Sequence, residues 1–447
     1  MIGETIGSYR ITAKLGAGAS GFIRPQYLPD GHAILFTAIF NTGTAVYVKN
    51  LGTRQTQRLV DNVLIALYLP TGESTGHIAY LSQGTLFARA FDPARLVFLG
   101  PPQPVLSDIA TRSDGGASLS FSETGNFLYE IGQAGRQGWP VHWMDSSGAT
   151  RPLLSTEGAY SQPRFSPDPA GQFLALVKGG PTGLGEVLVY DWKNDVTVTL
   201  TRPGKPGGFP AWSPDGRHLA MSTGQSIVWM RSDGSGEPQR ILEGKNRLNL
   251  GSISPDGRYL AFVEPSPETL NDIWVAPLDL SKPDHPVVGK PELVVGTRGN
   301  DSFPSFSPDG KWLAYYSDES GRFEVYVRPF PGPGPARNVS VGGGVFPAWS
   351  SNGHELLFTE LRGSEFGNIM VVDYRVSGDA FLAARPRVWS NAHYRRVGAM
   401  PIWALHPDCK RIAMFPPEAS PENAGGPRFA FLLNFFDELR RRAPAGK

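Results

Sequence analysis

The sequence predicts an all-β protein, a β-propeller of four-stranded blades with eight or nine blades. Three observations carry that expectation: a turn signature recurring nine times at intervals of 41 to 56 residues, a second strand-like apolar stretch after each copy, and a composition rich in turn formers. The 447 residues include 53 Gly, 40 Pro and 10 Trp with only 19% charged residues, more turns and aromatics than a helical protein carries.

The cleanest turns are Ser213-Pro214-Asp215-Gly216, Ser254-Pro255-Asp256-Gly257 and Ser307-Pro308-Asp309-Gly310. Ser suits the first position of a type I turn, Pro presets φ at the second, Asp tolerates the third, and Gly takes the left-handed position that lets the next strand pair back. Weaker copies are Leu28-Pro29-Asp30-Gly31, Leu69-Pro70-Thr71-Gly72, Ser122-Glu123-Thr124-Gly125, Ser166-Pro167-Asp168 with Gly171 displaced, Ser350-Ser351-Asn352-Gly353 and His406-Pro407-Asp408-Cys409. The following apolar stretches include Ala45 to Val48, Glu186 to Tyr190, Asp272 to Val275 and Phe323 to Val327. Two hairpins per module make a four-stranded blade.

A single blade cannot bury its faces, so the modules must stack, and a twisted stack of such sheets closes into a ring that removes its edges. Nine modules lie just above the usual range of about four to eight blades. Two smaller propellers in tandem would need a linker, and no Pro/Gly/Ser-rich break exceeds an ordinary blade loop. Residues 23–447 are therefore expected to form the propeller, ending in a short helix over Asn434 to Leu439, with residues 1–22 outside the repeat.

A net charge of +1 gives no sign of nucleic acid or an anionic membrane as partner. The basic run Arg440-Arg441-Arg442 reads as a solvated helix end. The one cysteine, Cys409, stands where most modules carry the turn Gly and reads as structural. No apolar run reaches about 18 residues and the N-terminus lacks signal-peptide order. As written, the chain is expected to be cytoplasmic and monomeric.

Residues 6–21 differ from the rest. Tyr9, Ile11, Ala13 and Leu15 alternate as a strand does, and Gly16, Gly18 and Gly21 follow as G-x-G-x-x-G. This resembles the first strand and Gly-rich loop of a bacterial Ser/Thr protein kinase domain, which cover the ATP phosphates. Phosphoryl transfer also needs a third-strand Lys, a catalytic Asp and Mg²⁺-holding Asn and Asp, yet no His-Arg-Asp or Asp-Phe-Gly occurs. Val46-Tyr47-Val48-Lys49 mimics the Lys-bearing strand but fits the second hairpin of the first blade. The remainder resembles the WD40-like, TolB-like C-terminal propeller of bacterial receptor-type Ser/Thr kinases. The resemblance is carried by Gly84 to Ala88 with Phe91-Asp92, by Tyr315 to Arg322 through Pro329 to Gly332, and by Leu432 to Leu439. It implies a kinase stripped of its catalytic core, a vestigial Gly-rich loop, and a propeller that in full-length, membrane-bound relatives is extracytoplasmic.

Other chemistry is rejected on residue context. Gly72-Glu73-Ser74-Thr75-Gly76 satisfies the G-x-S-x-G elbow but falls in a hairpin turn rather than between strand and helix. His32, His77, His142, His218, His285, His354, His393 and His406 show no metal-ligand spacing, and His32, His218 and His354 read as surface turn exits. Asp30, Asp215, Asp256 and Asp309 read as turn caps rather than a Ca²⁺ ring. No catalytic residue, metal or cofactor is expected. The function expected is a non-catalytic interaction scaffold that binds a protein or small ligand on a propeller face, with the insertions at 179–185, 281–290 and 418–427 as candidate contacts. The alternatives are a fragment or mis-joined version of a Ser/Thr kinase, supported by tight Mg-ATP binding, and a hydrolase or lyase using the propeller face.

Overall fold

A computed structural model describes residues 5–6, 9–10, 21–40, 43–61, 63, 65–82, 84–111, 117–122, 124–131, 138–179, 183–202, 204–266, 268–363, 365–391, 400–417 and 428–444. Each of the nine turns joins the first two strands of one antiparallel sheet, giving nine blades numbered here in turn order. In the clean copies the turn is held as its residue types require. Ser213 Oγ donates to Asp215 Oδ1 at 2.5 Å and accepts the His218 amide at 2.9 Å, Asp215 takes the Arg217 amide at 3.0 Å, and the Gly216 amide closes on Ser213 O at 2.9 Å. Gly216 has φ +69°, and Cys409 stands in the same position with φ +60°. In that ninth turn His406 replaces Ser, its Nδ1 accepting the Asp408 amide at 3.1 Å.

The chain divides into two compact units, Trp139–Glu418 and Met1–Gly138 with Ala419–Lys447. The first unit holds blades 4 to 9 as a six-bladed ring. Blades 4 to 8 each come from one stretch of chain, for example Gly208–Trp212, His218–Ser222, Ser226–Arg231 and Gln239–Glu243 in blade 5. Blade 9 is shared: Trp403–Leu405 and Arg411–Met414 supply its inner half, and Trp139–Asp145 and Thr150–Gly158 its outer half. His142 pairs with Met414 and Asp145 with Arg411, so the two ends of the unit meet in one sheet.

Apolar side chains seal each junction of this ring. Val189, Trp212 and Met221 join blades 4 and 5; Phe209, Leu250 and Phe262 join 5 and 6; Val263, Phe306 and Leu313 join 6 and 7; Val327, Val345 and Phe358 join 7 and 8. Tyr160, Leu176, Leu357, Val371, Ile402 and Met414 form one cluster linking blade 9 to both 8 and 4. Each fully buried Leu or Val is worth about 1.5–3 kcal/mol over exposure, which is why the stack closes rather than ending in an open edge. Polar bonds add register: Trp212 Nε1 donates to Arg164 O at 3.0 Å, and Trp349 Nε1 repeats the contact on Ser305 O at 2.9 Å.

The second unit holds blades 1 to 3. Blade 1 contains Gly21–Tyr27, Ala33–Phe40, Gly43–Asn50 and Thr56–Asp61. Blade 3 pairs Leu119–Phe121, Phe127–Ile131 and Arg428–Leu432, and helix α1, Phe435–Arg442, buries Phe435, Phe436 and Leu439 against blades 2 and 3. From the sequence, residues 1–21 read either as a polar, Gly-rich tail or, through Tyr9 to Leu15, as a strand clasping the last blade, whose module reads as short of an outer strand. Instead residues 139–158 complete it, Arg428–Leu432 belongs to blade 3, and Tyr9–Arg10 pairs with Thr5–Ile6; residues 11–20 lie outside the described residues. No helix among the described residues is long and apolar enough to cross a membrane.

Candidate functional site

The innermost strand of a blade has one edge without a strand partner, and the sequence blunts it twice. Gln162, Phe209, Phe303 and Phe346 adopt φ between +52° and +57°, each immediately before a proline, and the ladder slips there. Proline has no N–H to leave unpaired on such an edge, and the bulge breaks its pairing register. A bulky residue before proline avoids the left-handed region, so four such residues mark stored strain. Blade 6 achieves the slip at Gly251, where a Cβ would come within 2.5 Å of Pro304.

Beyond the bulges, the strand ends and turns of the six blades line a cavity of about 460 Å³. Its walls are aromatic and proline-rich, with Trp212, Phe303, Phe346, Trp349 and Trp403 among them. Among the described residues its charged or titratable lining groups are Arg164 and His406. His406 is committed to structure: Nε2 bonds Ala170 O at 3.0 Å, and its ring edge packs on Trp143 and Phe165. Arg164 is different. Its Nη1 donates to Pro163 O at 3.1 Å, no carboxylate pairs with it among the described residues, and burial pulls its pKa down to about 10. The turn carboxylates near the mouth are spent on their own turns; Asp256 and Asp309, like Asp215, each accept a Ser hydroxyl and an amide.

The residues singled out from sequence fall elsewhere. Gly16 and Gly18 lie outside the described residues, and Gly21 opens the first strand of blade 1, paired with Ile39. Lys49 pairs with Ile34 and Thr56 within blade 1, as the blade reading required. Ser74 is exposed in the loop before Gly76–Ser82, and among the described residues no histidine bonds to it. His77 instead bonds Thr71 Oγ1 at 2.6 Å and Ala443 O at 2.7 Å, buried between blade 2 and the end of α1. His32 and His354 are at turns, but His218 is not a surface residue: it is 3% exposed, stacked on Trp229, with Nε2 2.9 Å from Asp284. Its strand enters the sheet one residue earlier than the turn pattern implied.

The 281–290 insertion, expected as a binding loop, folds back on blade 5, where Trp229 Nε1 bonds Pro283 O at 2.8 Å and Arg231 reaches Asp284 at 2.7 Å. Residues 180–182 and 418–427 of the other insertions lie outside the described residues. The Arg run is only partly solvated, because Arg440 bonds Thr71 O at 2.5 Å and Arg442 bonds Val105 O at 2.8 Å. Among the described residues no cluster of three or more His, Cys, Asp or Glu could hold a metal. The channel site itself went unread, although its signal was present: the position two residues before each turn is Ala211, Ser252, Ser305, Ala348 and Ala404 in five blades and Arg164 in the sixth.

No protein-family model matches the chain. It is similar to dipeptidyl-peptidase 5 of Arthroderma otae, 29% identical over 180 residues, covering 32% of this chain and 25% of that enzyme. The same enzyme of Aspergillus fumigatus is 36% identical over 88 residues, covering 17% of this chain and 12% of the enzyme. The chain thus spans a quarter or less of the length of these curated relatives. Among solved structures, a TolB of Agrobacterium tumefaciens overlaps 62% of this chain and 97% of its own at 20% identity and TM-score 0.45. The tricorn protease overlaps 92% and 44% at 12% identity and TM-score 0.38. None of these is a kinase, and the kinase resemblance rests on the sequence motifs alone. The expectation of a non-enzyme is corrected by the peptidase relatives. That expectation rested on missing kinase motifs, which concern phosphoryl transfer and have no bearing on peptide hydrolysis, and on setting aside one serine elbow, Gly72–Gly76, as a hairpin turn.

Proposed function

We propose that the six-bladed unit is a peptide-receiving propeller that serves peptide hydrolysis, with the channel-mouth cavity as its receiving site. The observation that carries this reading is the cavity: about 460 Å³, within the range of about 300–1,000 Å³ of small-ligand sites, walled by aromatics and proline with few polar groups. Aromatic and proline walls accept extended peptide side chains, and strand ends around them offer backbone groups for orientation. The similarity to dipeptidyl-peptidase 5 supports peptide ligands over other classes.

The test is capture and cleavage measured together on the full chain. All ten tryptophans lie between residues 139 and 403, so intrinsic Trp fluorescence reports on this unit alone. The expected result is a saturable fluorescence change with an N-acetylated tripeptide pool lacking Trp, Asp and Glu, assayed beside release of p-nitroaniline from dipeptidyl anilides. Neither capture nor release at millimolar peptide would refute the reading.

A further inference from the structure

The six blades give the channel mouth an internal comparison. The position two residues before each turn faces the cavity in every blade and is Arg164, Ala211, Ser252, Ser305, Ala348 and Ala404 in blade order. Five are small, which leaves the space open. One is the longest cationic side chain available, and it breaks the sixfold repeat at a single point.

Arg164 is half-buried, and a structural arginine held partly out of water has a carboxylate or several carbonyls to satisfy it, since desolvating an unpaired charge is costly. Among the described residues Arg164 has one carbonyl, Pro163 O, for five N–H donors, and no Asp or Glu lines the cavity. The guanidinium fork matches a carboxylate bidentately, and in a desolvated, aromatic-walled site such a pair is stronger than at the surface. Resting on the peptide reading above, we infer that Arg164 is a carboxylate anchor, which fixes one end of a bound peptide through its free C-terminus or an acidic side chain.

The same fluorescence titration separates this inference from the reading beneath it. The probes are the tripeptide pool as free acids, the same pool as C-terminal amides, and an amidated pool carrying one Glu. Wild-type protein is expected to bind the acids about tenfold or more tightly than the plain amides, and Arg164→Ala to erase the difference. If the Glu amides match the acids and lose that advantage in Arg164→Ala, the anchor stands and takes either a C-terminal or a side-chain carboxylate. Equal binding of acids and amides by the wild type overturns the anchor while leaving peptide capture intact, and so does a preference that survives Arg164→Ala. Binding of none of the pools removes both. The acid-to-amide comparison needs no variant, so a folding defect in Arg164→Ala leaves the decision open to measurement.

Discussion

Replacing His77 with Leu should loosen the seam between blade 2 and α1, and the size of the effect should depend on pH. His77 is 4% exposed; Thr71 donates to Nδ1 and Nε2 donates to Ala443 O. Leu fills similar space but strands both partners, at about 1 kcal/mol per lost bond, so about 2 kcal/mol at pH 7.5. In hydrogen exchange of the Gly76–Ser82 amides that is about a thirtyfold loss of protection. Burial lowers the His77 pKa and the nearby Arg440 charge adds to this, although the Ala443 bond opposes it. The folded pKa therefore lies below the unfolded value of about 6.5. The neutral ring's contribution is complete above that value and erodes as pH falls toward the folded pKa, by at most about 1.4 kcal/mol per unit. At pH 5.5 the wild type has lost part of that stability and His77→Leu has not, so the gap in protection should narrow several-fold. An equal gap at both pH values would refute the buried-neutral account of this residue.

Gly310→Ala isolates turn strain from packing: φ is +69° and the nearest atom to an added Cβ is Pro255 Cδ at 3.8 Å. It should cost about 1–2 kcal/mol in urea unfolding followed by Trp fluorescence, and an unchanged midpoint would mean the turn relaxes out of the left-handed region. Trp229→Phe removes the bond to Pro283 O; the amides of Asp284, His285 and Val287 to Gly289 should exchange about fivefold faster, and no change would mean Asp284 alone holds the loop. Burial alone pushes the Asp215 carboxyl up, but the Ser213 hydroxyl and Arg217 amide outweigh it, and Asp256 behaves alike. Their stabilisation is present above about pH 3.9 and lost as pH falls through the lower folded values, so Asp215→Asn with Asp256→Asn should flatten the acid limb of stability below about pH 4.

The blades were legible because their punctuation is local. Ser-Pro-Asp-Gly fixes its own hairpin through bonds spanning at most five residues, and all nine turns mark a sheet. Closure was not legible, since nothing in Trp139–Asp145 names Arg411–Met414 as its partner across some 270 residues. The absence of a long linker argued for one body, yet the chain divides into two compact units with boundaries after Gly138 and Glu418. The site was half legible. Pro163, Pro210, Pro304 and Pro347 all stand three residues before the turn, a repeat that a hairpin reading treats as strand content. Only the bulges show that these strands share a free inner edge, and only the ring turns Arg164 into an exception among small residues.

The two units are closed by opposite economies of chain, and this makes them unequal as independent folds. Trp139–Glu418 contains both halves of its shared blade, with four register pairs between its own ends and a cluster from Trp139 to Phe415 sealing the last junctions. Residues 139–417 expressed alone should therefore show the wild-type Trp emission maximum and one cooperative urea transition. Residues 1–138 alone lack Arg428–Leu432 and α1, which leaves Phe127–Ile131 as an unpaired edge and uncovers Phe127 and Tyr129, now packed with Phe435 and Leu439. That fragment should expose apolar surface, seen as dye binding and loss of exchange protection in blade 3. A red-shifted, non-cooperative 139–417 fragment would mean the shared blade does not close the ring, and the cavity built on its six inner strands would lose its basis.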